Sequence, residues 1–168
     1  MAKAESARSA GDALCALATI AAGGEPFHSL WSPGAHTTRL LSIRYAPPSG
    51  IPASALRLSR SLIAQSLATD ITGTVDVSCD ISSPYTISLS TGAGTYASRT
   101  MTGSSGTLVY NLYVDATRLS IWGDGSPGTG TVGGTANTAS HTVYGRIPAR
   151  QNAPVGSYTD TIIVTLTF

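Results

Sequence analysis

From Thr74 to the C-terminus, apolar and polar residues alternate with a period of two. Val75, Val77 and Cys79 alternate with Thr74, Asp76 and Ser78, and Tyr85, Ile87 and Leu89 alternate with Thr86, Ser88 and Ser90. Successive side chains of a strand point to opposite faces, so each run predicts a strand with one face buried. Leu108, Tyr110, Leu112 and Val114 form a third set, and Val143, Gly145 and Ile147 a weaker fourth. The last run is the clearest. Tyr158, Ile162, Val164, Leu166 and Phe168 share one face and Ser157, Thr159, Thr161, Thr165 and Thr167 the other, with only Asp160 and Ile163 out of place. Turn formers separate the runs at Ser82–Pro84, Gly92–Gly94, Gly103–Gly106, Gly123–Gly134 and Pro148–Gly156. The pattern predicts an all-β fold, a small antiparallel sandwich or barrel.

Composition supports this and locates a boundary. Charged residues are 11% of the 168, well below the usual ~25%, and polarity comes instead from 22 Thr and 22 Ser. A net charge of +1 argues against an electrostatic grip on nucleic acid or an anionic membrane surface. Residues 1–65 hold only 3 of the Thr, and Lys3, Arg8, Arg39, Arg44, Arg57 and Arg60 against Glu5, Asp12 and Glu25 give them a net +3. The rest of the chain is net −2. Two kinds of sequence therefore meet near residue 65, an irregular segment over 1–65 and a β-domain over 66–168. Within the first, Ala13–Ala22 is an apolar run too short for the ~20 residues that span a bilayer, so no membrane insertion is expected. It reads either as the apolar region of a secretory signal or as a short helix; Glu5 and Asp12 dilute the positive start that a signal requires. Residues 23–60 predict loop or disorder, with one strand at Leu40–Tyr45.

Candidate chemistry is sparse. His28, His36 and His141 are scattered, without the i, i+4 spacing of a zinc helix, and no GxSxG elbow occurs. Gly123–Gly128 matches GxGxxG, but the glycine- and threonine-rich chain after it cannot start the helix that a dinucleotide site needs. Asp115 and Asp124 lack the oxygen-rich spacing of a calcium loop. No catalytic residue, cofactor or metal is expected. A carbohydrate-binding face would need a flat row of exposed aromatics, for which Trp122, Tyr113 and Tyr144 are the candidates. Cys79 ends an inward-facing row, which predicts a structural thiol. Its one candidate partner is Cys15, in a segment with no evident reason to dock there, so the bond between them is expected to be absent.

Several ordered motifs resemble the spore coat protein U domain family. They are Gly73–Cys79 (GTVDVSC), Pro84–Ser90 (PYTISLS), Tyr96–Met101 (YASRTM), Leu108–Tyr113 (LVYNLY), Trp122–Gly125 (WGDG), Val143–Pro148 (VYGRIP), Pro154–Gly156 and Tyr158–Thr161 (YTDT). The resemblance covers Leu67 to Phe168. That family includes subunits of archaic chaperone-usher pili of the Csu type, which serve attachment and biofilm formation. It implies an incomplete immunoglobulin-like sandwich completed by a donor strand, first from a periplasmic chaperone and then from a neighbouring pilus subunit at the outer-membrane usher. The implied protein passes through the periplasm to a surface pilus; the runner-up is a spore or cell coat protein. On this reading Tyr158, Ile162, Val164, Leu166 and Phe168 line the donor-strand or chaperone interface, beside an edge that no later strand covers, and the chaperone's basic residues hold the Phe168 carboxylate. Family members open with a signal peptide, a donor strand and an early cysteine, none of which is visible upstream of Leu67. A mistaken start or frameshift over 1–65 and a divergent natural extension are both open.

Overall fold

The computed structural model describes residues 15–20, 36–45, 68–104, 106–151, 153–154 and 157–168, and every regular element among them is a strand. In chain order these are β1 (Cys15–Ile20), β2 (His36–Tyr45), β3 (Thr69–Leu89), β4 (Arg99–Gly103), β5 (Gly106–Tyr113), β6 (Ile121–Trp122), β7 (Thr129–Gly130), β8 (Val132–Ile147) and β9 (Tyr158–Thr167). All ladders are antiparallel except the short β6–β7 pair.

The alternation fixes which side chains turn inward. Val75, Val77, Tyr85, Ile87 and Leu89 of β3, Leu108, Tyr110 and Leu112 of β5, and Ile162, Val164 and Leu166 of β9 meet in one core with Met101, Trp122, Val143 and Ile147. Burying one such side chain is worth ~1.5–3 kcal/mol, and a slip of one residue would turn a whole row out to water. Ladders run from β3 to β8, β5, β4, β9 and back to β3, a closed circuit. β1 pairs with β3, β2 pairs with β9, and these two outer strands approach within 8 Å, Cα to Cα.

Two predicted breaks are absent. At Ser82–Pro84 the chain does not turn: β3 is one strand, whose register jumps from Ser78↔Thr138 to Ser83↔Ala136. The resulting bulge lets the first half of β3 pair with β1 and the second with β9, and Pro84 follows it as the partner of Thr135. At Gly133–Gly134 the chain is also strand, because a Cβ at Gly133 would meet the Tyr85 carbonyl oxygen at 2.7 Å; glycine here permits close strand approach.

The first part of the chain also differs from expectation. Cys15–Ile20 is neither a helix nor free of the domain: it is β1, laid along Thr74–Cys79 with Cys15, Ala16 and Leu17 buried. Tertiary pairing overrides the helix preference of its Ala and Leu. A Cys15–Cys79 disulfide joins the two strands at directly opposed positions, Cα to Cα 4.0 Å. This corrects the expected absence of that bond, since residues 15–20 do dock, on the edge of β3. The strand expected at Leu40–Tyr45 is present and longer, from His36. The rest of the irregular chain expected over 23–60 lies outside the described residues.

Candidate strand-docking site

β9 alternates strictly between inside and outside. Tyr158, Asp160, Ile162, Val164 and Leu166 are buried, whereas Thr159, Thr161, Ile163 and Thr167 are exposed. Phe168, just past the strand, is half-buried against the core. The structure thus brings together on one face all five residues singled out from the sequence, and adds Asp160 to them.

The two edges of β9 are held differently. One belongs to the domain itself: Thr159 and Tyr158 pair with Thr102 and Gly103 of β4, and Val164–Thr167 pair with Thr86–Leu89 of β3. Between them Ser90 bridges the gap, its N–H donating to the Ile163 carbonyl at 2.9 Å and its Oγ accepting from the Ile163 N–H at 2.9 Å. The other edge is covered from His36↔Thr167 to Tyr45↔Tyr158 by β2. The open edge expected from the sequence is therefore closed here by a segment from the front of the chain, which sequence periodicity had reduced to Leu40–Tyr45.

A buried polar network fixes the inner face, and the sequence reading missed most of it. Asp160 accepts hydrogen bonds from the Tyr110 hydroxyl at 2.6 Å, the Ala93 N–H at 3.1 Å and the Thr161 N–H at 2.7 Å. Burial, reinforced by the neighbouring carboxylate, pushes the Tyr110 phenol far above its ordinary range, so it stays protonated and donates. Gly92, at φ 62°, lets the chain turn over the Asp160 side chain. Arg99 is wholly buried and donates to Asn111 Oδ1 at 2.6 Å, to the Trp122 carbonyl at 2.7 Å and to the Ser90 carbonyl at 2.9 Å. Burial lowers its pKa, opposed by Tyr110, Tyr96 and Asp160. Asn111 in turn donates to the Tyr96 carbonyl at 2.7 Å. Among the described residues no buried side-chain nitrogen or oxygen lacks a partner, as a low-dielectric interior demands. The one visible signal was Asp160, an acid in an apolar row.

The remaining candidates are placed as follows. Trp122 is fully buried with its Nε1 donating to the Ile87 carbonyl at 3.1 Å, so Trp122, Tyr113 and Tyr144 form no exposed aromatic row. Tyr144 is half-buried beside the Arg118 guanidinium, 5.9 Å from its ring centre. The GxGxxG stretch lies between β6 and β7, with a strand where a nucleotide site needs a helix. Asp115 and Asp124 accept from the Ser120 and Ser126 N–H groups of their own loops. His141 is bonded to the Tyr85 hydroxyl at 2.8 Å.

The family model for the Spore Coat Protein U domain matches residues 55–165, which contain β3–β8 and most of β9. The chain belongs to that family. It is 40% identical over 107 residues to Protein U of Myxococcus xanthus, a match over 58% of this chain and 59% of that protein, so the chain spans about three fifths of this relative. A looser likeness, at 19% identity and a TM-score of 0.47, covers 83% of this chain and 42% of a chain in a solved complex. That structure is the CsuC–CsuE chaperone–tip adhesion subunit pre-assembly complex from archaic chaperone-usher Csu pili of Acinetobacter baumannii. Both β1 and β2 lie outside the family match.

Proposed function

We propose that this protein is a non-catalytic structural subunit of a bacterial surface pilus, built by strand complementation along the outer edge of β9 and serving adhesion and biofilm formation. One observation carries the reading. The family domain supplies its own neighbours to one edge of β9, while the strand on the other edge comes from outside that domain. A sandwich arranged this way leaves unpaired backbone donors and acceptors when the extra strand is missing. Another chain supplies the same hydrogen bonds by adding a strand, main-chain bonds giving affinity and alternate side chains giving register. The partners are then a periplasmic chaperone, the outer-membrane usher and neighbouring subunits, and the route runs through the periplasm to the cell surface. The disulfide suits that oxidising compartment.

The test is co-expression with the cognate chaperone and recovery of the complex. Val164 is wholly buried on the inner face and Thr165 is not. Val164→Asp is expected to abolish capture and Thr165→Ser to leave it unchanged; equal recovery of the two would refute the assignment of β9 as the docking strand. A coat protein is the second reading, favoured by the family's description and by the 40% identity to Protein U; it predicts surface localisation without any requirement for the chaperone.

A further inference from the structure

We infer that Arg118 and Arg146 form a binding site for an acidic saccharide, a hydroxyl-rich chain that carries carboxylates. The site stands on the outward face of β3, β8 and β5, to which neither β9 nor β2 contributes, so it is independent of the strand-docking edge. After residue 65 the chain has four arginines and no lysine. Arg99 is buried, and two of the other three converge on one carboxylate. Asp70 lies directly opposite Arg146, whose Nε and Nη2 donate to it at 2.7 and 2.8 Å. Arg118 brings its Nε to the same Oδ1 at 3.3 Å. The Arg146 hydrogen bond holds the Asp70 carboxyl below its ordinary range, so two positive charges face one negative. The side chains of Arg146 and Asp70 are 38% and 40% exposed, open to a ligand.

Arg118 is held there by its own turn. Its backbone sits at φ 59°, in the left-handed region that is uncommon for a residue with a Cβ. Its N–H donates to the Asp115 carbonyl at 3.1 Å, and Asp115 Oδ2 accepts from the Ser120 N–H at 3.1 Å. The guanidinium lies 5.9 Å from the Tyr144 ring centre and donates from Nη1 to the Ala116 carbonyl at 2.9 Å. Arg118 Nη2 and Arg146 Nη1 have no partner among the described residues. No buried side-chain nitrogen there lacks one, so both face solvent. A carboxylate placed between them balances the remaining charge and accepts charge-assisted hydrogen bonds from both.

The surroundings favour a sugar. On the same face Thr72 opposes Tyr144, which opposes Tyr113, and Thr74 opposes Thr142. Hydroxyls both donate and accept, and Thr72 and Thr142 are exposed. With two cations amid hydroxyls, the face suits a ligand of sparse charge and many hydroxyls better than a densely charged phosphate or acidic peptide.

The experiment uses the full chain and an end-labelled oligogalacturonate, with its methyl ester as the uncharged counterpart, followed by fluorescence anisotropy. The acid should bind and the ester should lose most of that binding, a comparison that needs no variant. Arg118→Gln and Arg146→Gln should each weaken binding on the order of tenfold. Arg150→Gln should leave it unchanged, since Arg150 is exposed and forms no ion pair among the described residues. Should Arg118→Gln not fold, Arg118→Lys keeps the charge without the planar fork and should bind more weakly than the unaltered chain. Ester bound as tightly as acid, no binding of either, or equal losses from Arg118→Gln and Arg150→Gln would overturn the site. A polyglutamate peptide bound as tightly as the sugar would overturn the choice of a saccharide.

Discussion

Asp160 interrupts the apolar row of β9, and its surroundings explain why the interruption is tolerated. Three donors point at one carboxylate. Asparagine at this position keeps the shape but turns one acceptor into a donor that faces another N–H, so Asp160→Asn should cost ~1–3 kcal/mol. Tyr110→Phe removes a single donor and leaves the carboxylate two others, so it should cost less; urea denaturation of the pair decides the order. His141 gives a second check. Burial lowers its pKa from 6.5, only partly opposed by Asp76, so the unfolded chain takes up the proton first as pH falls. Stability should therefore be fully present above about pH 6.5 and decline as the pH drops below it toward the folded pKa. His141→Gln, which still offers Tyr85 an acceptor, should flatten that part of the profile in thermal melts at graded pH. Asp160 was legible as a break in a periodic row. Arg99 was not, because its role depends on carbonyls of Ser90 and Trp122 that only the folded chain brings together.

Strands with a dry face were readable from one sequence because the pleat repeats every two residues, and β5 and β9 lie where alternation put them. Continuity of strands was less readable. Ser82–Pro84 carries the residues of a turn but continues the strand at the end of a bulge, since the decision rests on β8 lying alongside rather than on local preference. The glycines of β8 misled in the same way: they look like loop, but fit a strand packed closely against Tyr85. Strand β2 was legible only in part, its partner β9 lying at the far end of the chain. Rows read correctly have measurable consequences. Leu166 is wholly buried and Ile163 is 42% exposed on the opposite face, so Leu166→Ala should cost ~2–5 kcal/mol and Ile163→Ala no more than about 0.5. Chemical denaturation of both variants tests the assignment, and similar losses would mean that β9 is set one residue out of register.

Among the described residues a closed circuit of strands carries two additions from the front of the chain, and the two are secured by different means. β2 is held by its ladder with β9, whereas β1 has both a ladder with β3 and the disulfide across 64 residues of sequence. Closing so long a loop restricts the unfolded chain, and loss of a native disulfide of this kind costs ~2–5 kcal/mol. The effect should be uneven in space. Cys15 and Cys79 sit where β1 meets the bulge of β3, so reduction leaves an edge strand held by its ladder with β3 and by the burial of Cys15, Ala16 and Leu17. The ladders of β5, β8 and β9 close into the circuit without it. Cys15→Ser with Cys79→Ser should therefore lower the melting temperature and make the amides of residues 15–20 exchange rapidly, while those of 158–167 remain protected below the transition. Hydrogen exchange read by mass spectrometry at neutral pH resolves the two segments. If both lost protection together, β1 would be part of the cooperative core, and the circuit of β3, β8, β5, β4 and β9 would not be stable by itself.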